Sequence, residues 1–190
     1  MDLLNKTILI TGASDGIGEV LAVEFSKLGS NIILLGRDPL KLDKVYDRLD
    51  HSFSSQKHLI LQADLSLLSN ESAHEILIAI TEEFNCLDGI IHNAAILGTM
   101  TTLEDYELSK WDEVLNINLR APFLLTKILK TILEDSKLPR IIFTSSGVAN
   151  VGRAFWGAYS VSKFGLKGLA EIFANELETC LLYTSDAADE

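Results

Sequence analysis

A short apolar run near the start of the chain passes through a glycine-rich turn directly into a helix pattern. The run Thr7–Thr11 has the β-branched composition of a buried strand, and glycines follow at positions 12, 16 and 18. Apolar residues then recur with helical spacing from Ile17 to Leu28, and Gly29 ends the predicted helix. A strand, a tight turn and a helix in this order predict the first half of a parallel strand–helix–strand unit.

The same alternation of strand and helix continues along the chain. Four further strands are predicted at residues 31–35, 59–63, 87–92 and 140–144, and four further helices at 38–49, 70–84, 109–134 and 159–177. Pro122 should bend or interrupt the longest of these helices. Strands that are apolar throughout require cover on both faces of the sheet. The sequence therefore predicts an α/β protein with a doubly wound parallel sheet, the Rossmann fold.

Composition excludes several classes of partner. A length of 190 residues suits one domain, and a net charge of −11 argues against nucleic acid, which requires a basic face. No apolar run approaches the length that spans a bilayer, and no leader pattern precedes the first strand. Cys86 and Cys180 are too few for a disulfide framework, and neither has metal-ligand spacing. We expect a cytoplasmic protein without a metal.

The glycine-rich turn predicts a dinucleotide site. Gly12 suits a tight turn, Gly16 allows a pyrophosphate to approach the backbone, and Gly18 allows the helix to pack close to the strand. The N–H groups that begin the helix would then face the phosphates. The spacing is G-x-x-x-G-x-G rather than the common G-x-G-x-x-G, and a purely structural tight turn is the alternative interpretation.

The end of the second predicted strand indicates which dinucleotide binds. NAD enzymes usually place a carboxylate there, whereas an arginine accommodates the 2′-phosphate of NADP. Here the strand ends in Leu35-Gly36-Arg37-Asp38. Arg37 favours NADP, while Asp38 leaves NAD open. The alternative is that Arg37 is a solvated side chain paired with Asp38.

A tyrosine, a lysine and a serine predict the chemistry. Tyr159 and Lys163 stand four residues apart, one helical turn from each other, and Ser146 precedes the tyrosine by thirteen residues. An ammonium beside a phenol favours the phenolate and makes the phenol a usable acid and base near neutral pH. Taken singly, these residues would be a packed tyrosine, a solvated lysine and a helix-capping serine. Together behind a glycine-rich turn they predict hydride transfer between a nicotinamide and a carbonyl or alcohol.

With these motifs the chain resembles the short-chain dehydrogenase/reductase family from about Leu3 to Leu177. Within it, the chain is similar to a bacterial group of little-characterised oxidoreductases with a T-G-A-S-D-G-I-G turn and an L-L-G-R strand end. The resemblance implies a small carbonyl or alcohol substrate, an NADP cofactor and assembly into dimers or tetramers.

The resemblance also implies roles for individual residues. Asn118, rather than Asn116, would hold a proton-relay water, Asp64 would hold the adenine amine, and Ala95 replaces the family's usual glycine. The catalytic set is then Asn118, Ser146, Tyr159 and Lys163. The cofactor-binding set is Gly12, Ser14, Asp15, Gly16, Ile17, Gly18, Arg37, Asp64, Leu65, Asn93, Ala94, Tyr159 and Lys163.

The C-terminal residues depart from the family. Relatives continue into further strands and a substrate-covering segment, whereas residues 180–190 match the translation of a common sequencing adapter. We therefore expect an incomplete NAD(P)-binding Rossmann domain at residues 1–179 and a non-native tail at 180–190. The fifth strand would then be an open edge. Such a chain should reduce carbonyls far more slowly than a longer relative. A non-catalytic dinucleotide-binding module and an inactive fragment of the enzyme are the alternatives.

Two aromatic residues near the predicted site have more than one interpretation. His92 ends the fourth predicted strand, and we expect a buried, hydrogen-bonded histidine rather than a catalytic one. Trp156 is either a packing residue or part of the substrate pocket.

Overall fold

The computed structural model describes residues 3–177 in full and the backbone of residues 181–187. The strands are β1 (Thr7–Thr11), β2 (Asn31–Gly36), β3 (His58–Gln62), β4 (Gly89–His92), β5 (Arg140–Ser146) and β6 (Leu181–Ala187). The helices are α1 (Gly16–Lys27), α2 (Pro39–Tyr46), α3 (Asn70–Glu83), α4 (Leu108–Leu115), α5 (Ala121–Glu134) and α6 (Gly157–Glu176).

All the described strands are parallel and lie in one sheet in the order β3-β2-β1-β4-β5-β6. The order reverses between β1 and β4, which is the position where doubly wound sheets open a crevice at the carboxyl ends of their strands. The predicted Rossmann fold is therefore confirmed. None of the helices within residues 3–177 is long and apolar enough to cross a bilayer.

The two faces of the sheet carry separate hydrophobic layers. Leu9, Ile33 and Ile90 pack on one face with α3, α5 and α6, while Ile8 and Ile32 pack on the other with α1 and α2. Successive strand residues point to opposite faces, so a run without polar residues fills both layers.

Helix α1 approaches the sheet through small side chains rather than through its larger apolar ones. Ile17 and Val20 are 54% and 58% exposed, whereas Gly18, Ala22 and Ser26 are buried. Apolar spacing therefore predicted the helix correctly but did not show which face it buries.

The long helix predicted over residues 109–134 is interrupted before its proline. Between α4 and α5 the chain forms a π-helical segment, Asn116–Arg120, and Pro122 lies in the first turn of α5. The helical backbone runs on through this segment into α5, since the N–H of Ala121 donates to the carbonyl of Asn116, five residues back. A proline has no N–H and crowds the preceding turn, and the wider π-helical turn directly before it accommodates both, as the predicted interruption at Pro122 requires.

The expectation that β5 is the open edge of the sheet is wrong. Backbone residues Leu181–Ala187 run parallel to β5, in register from Arg140 opposite Leu181 to Ser146 opposite Ala187. The N–H and C=O groups along an edge strand are free to pair with an adjacent extended segment, and the backbone of residues 181–187 pairs with β5 in this way. The non-native origin of residues 180–190 stays a prediction.

Candidate active site

The turn between β1 and α1 is closely packed around its glycines. Gly12 has a φ of +65°, in the left-handed region, and a Cβ there would lie 2.8 Å from the Cα of Ala94. A Cβ on Gly18 would lie 2.3 Å from the carbonyl oxygen of Gly12. Both positions therefore require glycine: Gly12 for its φ and both for close approach.

Thr11, which the sequence reasoning did not select, joins this turn to the end of β4. Its Oγ1 accepts hydrogen bonds from the backbone N–H groups of Asn93 and Ala94, both at 3.1 Å, and donates to the carbonyl of Ile91 at 3.4 Å. The Asn93 side chain in turn donates to the carbonyl of Gly12. The feature of the sequence that could have identified Thr11 is its position, because it places a hydroxyl at the end of the apolar run Ile8–Ile10.

A cavity of about 300 Å³ opens at the carboxyl ends of β1 to β4. Among the predicted cofactor residues, it is lined by Gly12, Ser14, Asp15, Arg37, Asp64, Leu65, Asn93 and Ala94. Residues outside that prediction also line it, namely Gly36, Ala63, Ala95, Ile96 and Ile117. Gly16, Ile17 and Gly18 instead begin α1, and a Cβ on Gly16 would meet no atom within 4 Å. This open space beside the backbone fits the phosphates of a dinucleotide.

Asp64 and Arg37 bring opposite charges to the lining of the cavity. Asp64 Oδ1 accepts from the Ser66 hydroxyl at 2.7 Å and from the Ser66 N–H at 2.9 Å. The bonds from Ser66, with a contribution from the charge of Arg37, hold the pKa of Asp64 below its usual value. Both bonds go to Oδ1, and Asp64 also lines the cavity.

Arg37 is exposed and lines the cavity. Asp38 instead caps α2, accepting from the N–H of Lys41 at 3.2 Å. Within residues 3–177, no ion pair joins Arg37 to Asp38. The interpretation of Arg37 as the partner of Asp38 is therefore not supported.

Helix α6 brings Tyr159 and Lys163 together beside the end of β5. The Lys163 Nζ lies 5.6 Å from the centre of the Tyr159 ring and donates to the carbonyl of Thr144 at 2.7 Å. Lys163 is only 3% exposed. A buried ammonium is thus fixed close to a phenol, in the low-dielectric surroundings where charge interactions are strong.

Ser146 ends β5 and is fully buried. Its Oγ accepts from the N–H of Val148 at 3.4 Å, and the carbonyl of Val148 accepts from the Ser160 hydroxyl at 3.1 Å. The turn after β5 is therefore tied to α6. Tyr159 is only partly buried, so it is the more accessible of these two residues.

Asn118 links the π-helical segment to the same site. Its Nδ2 donates to the carbonyl of Ile96 at 2.9 Å and to the Ser162 hydroxyl at 3.0 Å, and its Oδ1 accepts from the N–H of Ile96 at 2.9 Å. Ser162 then donates to the carbonyl of Tyr159 at 2.7 Å. Asn118 and Ser162 therefore fix the turn of α6 that carries Tyr159. Asn116 lies in a separate groove with Phe123.

An aromatic cluster stands beside Tyr159. The Trp156 ring centre is 5.9 Å from that of Tyr159, and the Arg153 guanidinium lies 5.9 Å from the Trp156 ring. Phe155 has a φ of +71°, which is unusual for a bulky residue and is a strain often found near functional sites. Trp156 thus packs against the candidate acid–base residue, and its place in the substrate pocket stays a prediction.

His92 is a packed core residue, as predicted. It is 2% exposed, its Nε2 lies 2.8 Å from the Thr126 hydroxyl, and its ring stacks on Phe143 at 4.9 Å. No described residue bonds its Nδ1. Burial lowers the pKa of His92 to about 3.

We expect His92 to make the fold sensitive to mild acid. Its pKa falls from 6.5 in the unfolded chain to about 3 in the folded protein, so only the unfolded chain gains a proton between these values. The stability is full above pH 6.5 and declines as the pH falls, by about 2 kcal/mol at pH 5. Urea unfolding of the wild type and of the His92→Phe/Thr126→Val variant at pH 8 and pH 5 measures this loss. An equal loss in both proteins would contradict the assignment.

Comparison with known proteins places the chain among oxidoreductases. The family model described as short chain dehydrogenase matches residues 6–180. The uncharacterised oxidoreductase YciK of Escherichia coli K12 is 36% identical over 178 residues, which cover 93% of this chain and 70% of the relative. The NADPH-dependent pterin aldehyde reductase of Arabidopsis thaliana is 30% identical over 172 residues, which cover 90% of this chain and 69% of that protein.

A solved structure gives the same result. The crystal structure of a short chain dehydrogenase from Escherichia coli CFT073, complexed with NADPH, has a TM-score of 0.92 and 34% identity, covering 98% of this chain and 78% of that one. Three of the similar curated proteins are considerably longer than the chain, which spans only 54% to 57% of their length.

Proposed function

Because this chain belongs to the short-chain dehydrogenase family, we propose that it is an NADP-dependent oxidoreductase acting on a carbonyl or alcohol substrate. One observation carries this proposal: the buried ammonium of Lys163 lies 5.6 Å from the centre of the Tyr159 ring. Both residues lie beside the carboxyl end of β5, which is the neighbour of β4 in the sheet. That edge of the sheet also contains the cavity lined by the glycine-rich turn.

When bound, the reduced nicotinamide supplies a hydride equivalent. Tyr159 donates its phenolic proton to the substrate oxygen in reduction, and the phenolate accepts a proton in oxidation. The Lys163 ammonium stabilises the phenolate form, and the carbonyl of Thr144 holds that ammonium in place.

Ser146 and Asn118 complete the proposed site in different ways. Ser146 is the candidate to donate a hydrogen bond to the substrate oxygen, a contact that requires its hydroxyl, now fully buried, to turn toward the substrate when it binds. The Asn118 amide already bonds Ile96 and Ser162, so its main effect is to position α6, while the second lone pair of Oδ1 can hold a relay water.

The choice of NADP rests on Arg37 and on two similar proteins. The guanidinium lines the cavity without a partner in Asp38, and a guanidinium binds a phosphate in a forked geometry. The Arabidopsis relative is named as NADPH-dependent, and the E. coli CFT073 structure is a complex with NADPH.

Separate titrations with NADPH and NADH test the cofactor. We expect NADPH to bind about 10- to 100-fold more tightly, since hydrogen bonds to charged groups contribute about 1.5–3 kcal/mol. Arg37→Ala should remove most of this preference and leave NADH affinity nearly unchanged. Nicotinamide fluorescence measures both affinities. Arg140→Ala is the control, because Arg140 is the first residue of β5 and therefore lies at the amino end of the strand, away from the cavity at the carboxyl ends. A wild-type preference for NADH would contradict the role of Arg37.

Oxidoreductase activity itself is tested by the loss of NADPH absorbance with a panel of aldehydes and ketones. Turnover that depends on Tyr159 supports the proposal. NADPH binding without turnover of any carbonyl, and without oxidation of the corresponding alcohols by NADP⁺, would favour a non-catalytic nucleotide-binding module.

A further inference from the structure

An ion pair joins a residue that lines the cavity to a lysine outside it. Lys41, in the first turn of α2, donates from Nζ to Asp15 Oδ2 at 2.9 Å. Asp15 caps α1, and its Oδ1 accepts from the N–H of Gly16 at 2.8 Å. Asp15 lines the cavity, whereas Lys41 is not among the residues that line it.

The Asp15 carboxylate occupies a position that suits an anion. The N-terminus of α1 attracts negative charge, and the Asp15 carboxylate already accepts a hydrogen bond from one of the N–H groups that begin this helix. The charged side chains that line the cavity are Asp15, Asp64 and Arg37. Together they have a net charge of −1. A dinucleotide with several phosphates would meet this carboxylate at close range, and the repulsion opposes binding.

Lys41 supplies the missing positive charge. Its hydrogen bond to Asp15 raises the pKa of the Lys41 ammonium, and the same bond lowers the pKa of the Asp15 carboxyl group. Both groups are therefore charged at neutral pH, and the pair is neutral in sum.

We propose that Lys41 is a positioning residue for the nucleotide: by neutralising Asp15, it allows the glycine-rich turn to accept a polyanion. This inference rests on the proposed function, since it assumes an NADP site. Lys41 acts through Asp15 and makes no contact with the nucleotide itself. Its effect is electrostatic, and salt therefore weakens it.

A double-mutant cycle tests this mechanism. NADPH affinity is measured by nicotinamide fluorescence for the wild type, Lys41→Met, Asp15→Asn and the double variant, at low and at high ionic strength. Asparagine caps helices about as well as aspartate, so Asp15→Asn removes the charge and keeps the cap. We expect Lys41→Met to weaken NADPH binding about tenfold at low salt and about twofold at high salt. The double variant should bind within about twofold of the wild type, because the repelling carboxylate is gone.

Lys27→Met is the matched control. Lys27 and Lys41 have equally exposed side chains, both 52%, and each pairs with a carboxylate, but Lys27 lies in the last turn of α1. Its replacement changes the net charge by the same amount and should leave NADPH affinity unchanged. Thermal unfolding verifies that all four variants remain folded.

The possible outcomes separate a failure of the inference from a failure of the proposed function. A double variant that keeps the full loss would show that Lys41 contacts the nucleotide directly, and wild-type affinity in Lys41→Met would show that the pair has no role in binding. Either result overturns the inference and leaves NADP binding intact. A wild-type protein that binds no NADPH contradicts the proposed function and the inference together.

Discussion

Replacing Tyr159 with phenylalanine should lower carbonyl reduction about a thousandfold and leave NADPH affinity within about threefold. General acid–base catalysis contributes about 10²- to 10⁴-fold to enzymatic rates, and the phenol is the accessible proton donor beside Lys163. The variant keeps the ring that packs against Trp156 and loses only the hydroxyl. The measured quantities are kcat from NADPH absorbance and the dissociation constant from nicotinamide fluorescence.

Tyr46→Phe is the control for this substitution. Tyr46 ends α2 and packs against His51 and His58, outside the site, so its variant should keep full activity. The ratio of variant to wild type is the deciding value, and a low absolute rate, as the sequence predicts for this chain, does not affect it. A Tyr159→Phe protein with more than about a tenth of wild-type activity would show that another group moves the proton.

The proton transfer has a second signature that needs no substrate. Phenolate absorbs at longer wavelength than phenol, so an ultraviolet spectrum follows the ionisation of tyrosines. Tyr159→Phe changes the spectrum of the phenol that the proposal assigns to the proton transfer, and a difference spectrum against the wild type isolates its contribution. Addition of NADP⁺ should perturb this difference spectrum. A difference spectrum that NADP⁺ leaves unchanged would place the phenol away from the nucleotide.

Gly18→Ala should destabilise the fold by about 3 kcal/mol and abolish NADPH binding. The new Cβ would lie 2.3 Å from the carbonyl oxygen and 2.9 Å from the carbonyl carbon of Gly12. These are backbone atoms, so the turn or α1 must move, and overpacking of this kind costs about 1–3 kcal/mol or more. In a protein of this size the melting temperature should fall by about 6–12 °C.

Gly168→Ala adds the same methyl group but should change the stability in the opposite direction. Gly168 lies inside α6, and a Cβ there would meet nothing within 4 Å. Alanine is favoured over glycine in a helix by about 0.5–1 kcal/mol, so this variant should be more stable than the wild type. Urea unfolding of the two variants measures the contrast. Equal effects would mean that the close contact of Gly18 with Gly12 does not determine the stability of the turn.

Features that depend on local chemistry could be predicted from the sequence. The β1–α1 turn is specified by glycines within seven residues, and the alternation of strands and helices follows from apolar periodicity. Tyr159 and Lys163 meet because four residues form one helical turn. Right-handed crossovers then predict a doubly wound sheet, although they leave the order of its strands open.

Features that depend on contacts between distant residues could not be predicted. Thr11 bonds residues more than 80 positions away, Asn118 bonds Ser162 across 44 positions, and Lys41 reaches Asp15 across 26. Each is a polar residue whose local sequence suggests only a turn, a helix surface or a cap. The strand at Leu181–Ala187 was missed for a related reason, since it pairs with β5, whose residues lie about 40 positions earlier in the chain.

The π-helical segment Asn116–Arg120 also determines which changes in chain length this region can accept. A regular helix turns by about 100° for each residue, so an added or deleted residue rotates everything after it by that angle. Deleting one residue here would restore an unbroken α-helix and would move either Asn118 away from Ser162 or the apolar face of α5 away from the sheet. The side chains of this segment can therefore vary more freely than its length. The number of residues in it fixes the rotation of α5 relative to α4, and the two helices face different neighbours.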